Sequence, residues 1–220
     1  MKKIITLLVL ININLFAVDT IETFDLGFTD FEYYHKTSNL SEDNKIFTNE
    51  IHIGMGITSI FSAHVGISSE KFSSNTAITS NSFGFIFTPL DTTHVDIDFY
   101  GELDNSYNSL IGLELNYDLK DDLQLAGFYL DSELNFNNGY NGYSFLFGSY
   151  YSLLDNLQLL IQLDISKNNN ENLNIGALAF GANYQLYDTI ELITEFSIDI
   201  PQNDEKTGYS VMLGFLATLP

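Results

Sequence analysis

The chain has 220 residues, among them eight lysines and no arginine, and its formal net charge is −21 at pH 7. Such a composition excludes a nucleic-acid partner, because the phosphate backbone is bound through clustered lysine and arginine. Cysteine is absent, so the fold is held together without disulfides. No motif in the chain calls for a cofactor.

The chain begins with a segment typical of a secretory signal peptide. A positive start at Lys2 and Lys3 is followed by an apolar run over residues 4–11 and by the small residue Ala17 at a suitable cleavage position. The segment is short for a membrane anchor, which needs about 20 apolar residues. We therefore expect a signal peptide over 1–17 and a single domain over 18–220.

After this segment, apolar and polar residues alternate with a period of two, which is typical of β-strands with one apolar face. Between Ile51 and Ile57 every second residue is apolar, while His52, Gly54 and Gly56 share the other face. Such runs predict about twelve strands, and the alternation is least regular in the first and the seventh. They lie near 20–35, 45–58, 62–72, 81–88, 93–103, 109–119, 123–134, 142–153, 156–166, 174–186, 189–200 and 207–219.

The predicted connections alternate between short and long. Three of the short ones share nearly the same sequence, in YDLKDDLQL, YSLLDNLQL and YQLYDTIEL. All three prolines, Pro89, Pro201 and Pro220, are predicted outside strand interiors, because proline has no N–H for the ladder. The short connections fall at 59–61, 89–92, 120–122, 154–155 and 187–188, and the long polar ones at 36–44, 73–80, 104–108, 135–141, 167–173 and 201–206.

This alternation resembles the bacterial porin-like outer-membrane β-barrel proteins, which have short periplasmic turns and longer outer loops. The resemblance implies an all-β, up-and-down antiparallel transmembrane barrel of about twelve strands in the cell outer membrane, surrounded by its lipids. Tyr117, Tyr151 and Tyr184, which begin the three repeats, would belong to a periplasmic aromatic girdle. The chain departs from the family at Leu219-Pro220, where such proteins usually end in an aromatic residue. An exported soluble β-sandwich is the alternative fold, because its strands alternate in the same way.

In a barrel with its apolar faces against lipid, the polar faces line the interior. No lysine is expected there, since Lys36, Lys45, Lys71, Lys167 and Lys206 fall at or near long loops and Lys120 falls in a turn. A negative wall attracts cations, so the sequence predicts a porin for small cationic or neutral solutes. Its oligomeric state stays open. The predicted pore-lining residues are Glu50, His52, His64, Glu70, His94, Asp96, Asp98, Glu102, Glu114, Asp118, Asp164, Glu191, Glu195 and Asp199.

Several finer expectations concern contacts. Pairing about residue 60 places His52 opposite Ser68 and His64 opposite Gly56, which separates the two imidazoles and predicts no metal site. A turn at 104–108 pairs residues whose numbers sum to 212, which places Asp98 beside Glu114. Side chains predicted to narrow the lumen are Tyr100, Leu146, Tyr150 and Leu160, and those predicted to face lipid are Phe85, Ile97, Leu113 and Leu213.

Two alternatives to a channel are a closed structural or surface-contact barrel and an outer-membrane enzyme. The second would use Asp30, His35 and Ser38 near the first long loop. No Gly-x-Ser-x-Gly motif or comparable nucleophile signature accompanies them, so catalysis is not expected.

Overall fold

The structure, a computed structural model, describes residues 27–41, 44–72, 77–92, 94–106, 108–121, 124–137, 140–168, 174–200 and 207–219. These residues form twelve antiparallel strands in one closed barrel. Each strand pairs with its neighbours in sequence, and the first strand pairs with the last. The predicted up-and-down barrel is therefore confirmed, and the soluble sandwich is wrong.

The strands follow one another with few residues between them. They are β1 (Thr29–Ser41), β2 (Asn44–Thr58), β3 (Phe61–Phe72), β4 (Ile78–Asp91), β5 (Val95–Asp104), β6 (Ser109–Asp121), β7 (Gln124–Asn137), β8 (Tyr140–Leu154), β9 (Leu157–Asn168), β10 (Asn174–Tyr187), β11 (Ile190–Asp199) and β12 (Tyr209–Leu219). Within the described ranges, the chain forms no helix of the length and apolarity that crossing a membrane requires.

Large apolar side chains cover the outside of the barrel. Phe83 is 58% exposed and Leu213 55% exposed, and the predicted lipid-facing residues Phe85 and Leu113 are also exposed, while Ile97 is half-buried. An apolar exterior of this extent is stable only against lipid, because in water its exposure would cost free energy. The barrel is therefore a membrane-spanning one.

The three repeated segments each turn a hairpin corner, as predicted. They end β6, β8 and β10 and begin β7, β9 and β11. Tyr117, Tyr151 and Tyr184 are 45%, 40% and 39% exposed on the outer face close to these turns. This placement suits an interfacial girdle, because a tyrosine ring has an apolar body and a polar tip.

The strands are longer at the loop end than the sequence predicts. β1 continues to Ser41, so most of the predicted loop 36–44 is strand, and the predicted first strand near 20–35 begins at Thr29. The predicted loop 135–141 is likewise mostly strand. The change to polar residues shows where a strand leaves the lipid. The backbone pairing of neighbouring strands continues beyond that point, as between Thr37 and Phe47. Residues 1–26, which include the expected signal peptide over 1–17 and the start of the predicted first strand, lie outside the described residues.

Pro89 lies inside β4, contrary to prediction. The pairing of β4 with β5 shifts between Phe87 and Leu90, so that Thr88 and Pro89 together oppose the single residue Asp98. This is a β-bulge, and a bulge tolerates proline because its extra residue leaves the ladder. Pro201 and Pro220 lie outside the described residues.

Candidate solute passage

The polar face of each strand lines the interior, and most of the predicted pore-lining residues lie there. His94 is the exception: β5 begins only at Val95, and His94 is exposed in the preceding turn. His94 therefore lies at the turn end of the barrel and not within β5, contrary to the predicted strand over 93–103. The other predicted residues are buried at Glu50, His52, His64, Asp98, Glu114, Asp164 and Glu195, and half-buried at Glu70, Asp96, Glu102, Asp118, Glu191 and Asp199.

The two inward histidines are in contact, contrary to the predicted register. His52 pairs with Gly66 and His64 pairs with Gly54, a shift of two residues from the prediction. The shift arises from a tight turn and a bulge after Gly56, neither of which the alternation reveals. As a result, the centroids of the two imidazole rings are 5.8 Å apart.

Carboxylates flank this histidine pair. Glu50 Oε1 lies 2.8 Å from His52 Nε2, and Glu102 Oε2 lies 3.6 Å from His64 Nε2. Glu102 reaches His64 across β4 because Gly84, which pairs with both residues, has no side chain between them. In the described part of the chain, no three histidines or carboxylates are arranged to hold a metal ion. The arrangement places each imidazole beside a carboxylate inside the barrel.

A second cluster is built around Tyr100. Its ring lies over Gly112 of the next strand. Its hydroxyl donates a bifurcated hydrogen bond to Asp131 Oδ1 at 2.6 Å and to Glu133 Oε1 at 3.0 Å. Ser144 donates a further hydrogen bond to Glu133 Oε2 at 3.2 Å. These bonds hold two buried carboxylates at fixed positions on β7.

Asp131 and Glu133 also lie buried on the inner face, although they are not among the predicted pore-lining residues. The inner face of β7 carries Gly127, Tyr129, Asp131 and Glu133. The contrast between a polar inner face and an apolar outer face is weak in this strand, because the aromatic Tyr129 lies on the inner face and the polar Ser132 on the outer one. A count of glycine and acidic residues at odd positions would have found them.

Asp98 and Glu114 pair directly, as predicted. The hydroxyl of Thr88 donates to Asp98, and Asn116 Nδ2 donates to Glu114 Oε1 at 2.8 Å. Each of the two acidic residues is only 2% exposed. The interior around them is therefore closely filled.

Lys36 lies inside the barrel rather than in a loop. It pairs with Thr48 and Met212, which are both buried on the inner face, and directly opposed residues of antiparallel strands share a face. Its ammonium interacts electrostatically with Asp164 on β9 and with Glu195 and Asp199 on β11. The prediction of an interior without lysine was wrong, because it placed the end of β1 too early.

Apolar side chains fill much of the remaining interior. The predicted narrowing residues Tyr100, Leu146, Tyr150 and Leu160 all belong to such clusters. The clusters are Tyr129, Tyr150, Leu160 and Ala179 with Leu146; Ile193 and Met212 with Tyr34 and Leu216; and Ile86 and Tyr100 with Leu110. They make the interior narrow, which agrees with a barrel between the filled eight-stranded and the open sixteen-stranded sizes.

The residues considered for catalysis do not come together. His35 lies on the opposite face of β1 from Asp30 and Ser38, and its ring nitrogens meet Asn49 Oδ1 at 2.9 Å and Thr37 Oγ1 at 3.3 Å. Asp30 and Ser38 share a face, but eight residues of strand separate them by about 26 Å at a rise of roughly 3.3 Å per residue. This geometry does not support a catalytic triad at these positions.

The sequence matches no known family model, and no curated protein is significantly similar to it. The fold is similar to solved outer-membrane structures. The KdgM porin superposes with a TM-score of 0.66 at 12% identity, over 86% of this chain and 98% of that one. An outer-membrane channel from Pseudomonas putida F1 superposes with a TM-score of 0.62 at 12% identity, over 92% of this chain and 100% of that one. The NanC porin gives 0.61 at 11% identity, over 85% and 98%.

The chain therefore has the fold of a porin-like bacterial outer-membrane β-barrel. This fold and the apolar exterior together locate it in the outer membrane. At such low identity the likeness concerns the fold alone, so what passes through the barrel has to be argued from its own interior.

Proposed function

We propose that this protein is a porin-like channel that gives small solutes passive, cation-preferring passage through an acidic lumen. The observation that carries the proposal is the sign of the interior charge. Carboxylates line the inner faces of most strands, whereas Lys36 is the only lysine among the inward side chains that the structure describes.

The carboxylates are distributed along the whole passage. Glu114 lies near the middle of β6, and half-buried acids lie toward both ends: Glu70 and Asp199 near the long loops, Asp96 and Glu191 near the short turns. Charges of one sign in a low-dielectric passage attract counter-ions and repel ions of their own sign. A cation is therefore attracted at either mouth and at mid-barrel, while an anion is repelled throughout.

The apolar clusters set an upper limit on solute size. Tyr129, Tyr150 and Leu160 project into the same interior that the carboxylates line. A solute has to pass beside these side chains, which favours inorganic ions and small organic molecules. The KdgM porin has been solved in complex with disordered oligogalacturonate, which is a carboxylated sugar. The acidic wall of this chain would repel such a solute.

A closed structural barrel is the second candidate, and one observation favours it. The residues that line the narrow region are closely packed, with Tyr100 3% exposed and Glu114 2% exposed. In this case the tyrosine bridges to Asp131 and Gln162 would serve to stiffen the barrel wall.

Current through a planar bilayer tests both candidates. Purified protein, shown to be folded by its heat-modifiable mobility, is inserted and the reversal potential is measured in a gradient of potassium chloride. We expect steady conductance with a potential of the sign that potassium permeation produces. Absence of current from folded protein supports the closed barrel, and a potential of the opposite sign contradicts the cation preference.

A further inference from the structure

Glycines on the neighbouring strands make room for the two inward histidines. A Cβ at Gly84 of β4 would overlap the His64 ring, and a Cβ at Gly66 of β3 would press against the His52 ring. Each imidazole therefore extends over the adjacent strand, and both are buried. Their ring centroids lie 5.8 Å apart, so a charge on one ring acts directly on the other.

Acidic groups surround this histidine pair. Glu32 of β1 pairs with His52 across the sheet, and its carboxylate interacts electrostatically with both rings. The facing positions of β4 and β12 are occupied by glycine, serine and leucine. Lys36 lies further along β1 toward the loops and interacts with carboxylates of β9 and β11. The titratable groups that face the pair are Asp30, Glu32 and Tyr34 on β1, Glu50 on β2 and Glu102 on β5.

The His64 ring faces Glu102 without a hydrogen bond. Its Nε2 lies 3.6 Å from Glu102 Oε2, which is too long for a hydrogen bond, and it has no other hydrogen-bond partner among the described residues. By contrast, His52 Nε2 donates to Glu50 Oε1 at 2.8 Å. A proton on His64 Nε2 would supply the donor that the Glu102 carboxylate can accept. The pair is thus arranged to take up a proton with only a small movement of side chains.

We propose that His52 and His64 form a proton-binding site in the lumen wall, and that protonation of this site weakens the cation preference of the passage. The inference rests on the proposed function and names its regulation. It requires no movement of the barrel wall, because the added charge acts on the permeant ion through the electrostatic potential of the passage.

The direction of the effect follows from the charge of the site. An imidazole titrates between about pH 5 and 8, where it changes from cationic to neutral as the pH rises. Above this range the rings are neutral, and the carboxylates around them attract a cation. Below this range each ring carries a positive charge that offsets a carboxylate, so a cation is attracted less. The cation-to-anion permeability ratio should therefore fall as the pH falls.

Nuclear magnetic resonance of the imidazoles tests proton binding without any need for current. The chain has four histidines, of which His35 lies on the outer face of β1 and His94 in an exposed turn. The variant His35→Asn with His94→Asn, folded in detergent without a histidine tag, leaves only the inward pair to observe. We expect both remaining rings to change their nitrogen chemical shifts between about pH 5 and 8. Rings that stay in one protonation state over this range overturn the proposal.

Reversal potentials in a potassium chloride gradient, measured at about pH 5 and about pH 8, test the regulation. Between the higher and the lower pH, the permeability ratio of wild type should fall at least about fivefold more than that of His52→Asn with His64→Asn. A unit charge acting over about 10 Å at an effective dielectric constant of about 20 is sufficient for this factor. The variant retains every carboxylate, so the difference between the two proteins isolates the histidines.

The matched control is His35→Asn with His94→Asn, which removes the same number of imidazoles from outside the lumen. It should show the pH dependence of wild type. An equal pH dependence in wild type and in the inward double variant contradicts the regulation, and so does a loss of pH dependence in the control.

Conductance separates this inference from the proposed function. A barrel that prefers potassium to the same degree at both pH values remains a cation-preferring channel without regulation by protons. Folded protein that carries no current at either pH overturns the channel function and the regulation together.

Discussion

Glycines on the inner face leave room for the large side chains of the neighbouring strand. Gly112 lies under the Tyr100 ring, Gly148 under Tyr129, and a Cβ at either position would overlap that ring. Because these glycines lack a side chain, each tyrosine crosses one strand and bonds to the next, as Tyr129 does to Gln162 Oε1 at 2.8 Å. The role of glycine here is close approach, and the tyrosine bridges depend on it.

Gly148→Ala tests this role. The added methyl displaces the Tyr129 ring from a closely packed interior, which should lower the free energy of unfolding by about 1–3 kcal/mol in a urea titration in lipid vesicles. The double variant Gly148→Ala with Tyr129→Ala should recover much of the loss caused by the clash. If the alanine has the same effect with and without the Tyr129 ring, the glycine is not needed for the close approach of that ring.

At the scale of the hairpins, the short turns and the longer loops identify the two ends of the barrel. Cysteine placed at Ser106, in the exposed turn between β5 and β6, should react with a membrane-impermeant reagent on intact cells. Cysteine placed at Asp155 or Asp188, in the short turns, should react only after the outer membrane is opened. The opposite order of labelling would reverse the orientation that the connection lengths indicate.

The strands also make a prediction about their two faces. Leu113→Lys and Ile67→Lys put a charge on the outer face, where a lysine near the middle of the membrane costs about 2–4 kcal/mol. Ser68→Lys puts the same charge beside Ile67 on the inner face, where Ser68 is half-buried. We expect the two outward variants to yield much less heat-modifiable barrel than Ser68→Lys. Equal losses would mean that both faces are buried in protein.

The sequence predicts the strands and their faces well, because the alternation of apolar and polar residues determines them. It predicts strand ends and register poorly, because these depend on backbone hydrogen bonding. Strand number, outward faces and the pairing of Asp98 with Glu114 all follow from period and turn length. The position of Lys36 and the contact of His52 with His64 depend on how far a ladder extends and where a bulge falls, and polarity does not encode either. Because the predicted end of β1 lay too early in the chain, Lys36 was not predicted to lie in the lumen.

At the scale of the whole molecule, the selection of ions depends more on the distribution of charge along the passage than on any single contact. The acids of the middle are buried and hydrogen-bonded, as Asp98 and Glu114 are, so replacing them alters packing as well as charge. The acids toward the mouths are half-buried and expose part of their surface. They are therefore the better test of electrostatic selection, because their neutralisation removes charge with little loss of packing.

Two double variants neutralise these acids: Glu70→Gln with Asp199→Asn at the loop end, and Asp96→Asn with Glu191→Gln at the turn end. Each double variant should lower the cation-to-anion permeability ratio. The effect should shrink as salt rises, because the Debye length falls from about 10 Å at 0.1 M to about 3 Å at 1 M. Reversal potentials in a salt gradient measure the ratio.

The matched control is Asp155→Asn with Asp188→Asn, which removes the same charge from exposed turns outside the lumen. It should change the ratio less than either mouth pair, since bulk water screens these carboxylates on most sides. If the control and the mouth variants shift the ratio equally, selection depends on the net charge of the barrel. If neither mouth pair shifts the ratio at low salt, the inward carboxylates do not select the permeant ion, and the cation preference has to be abandoned.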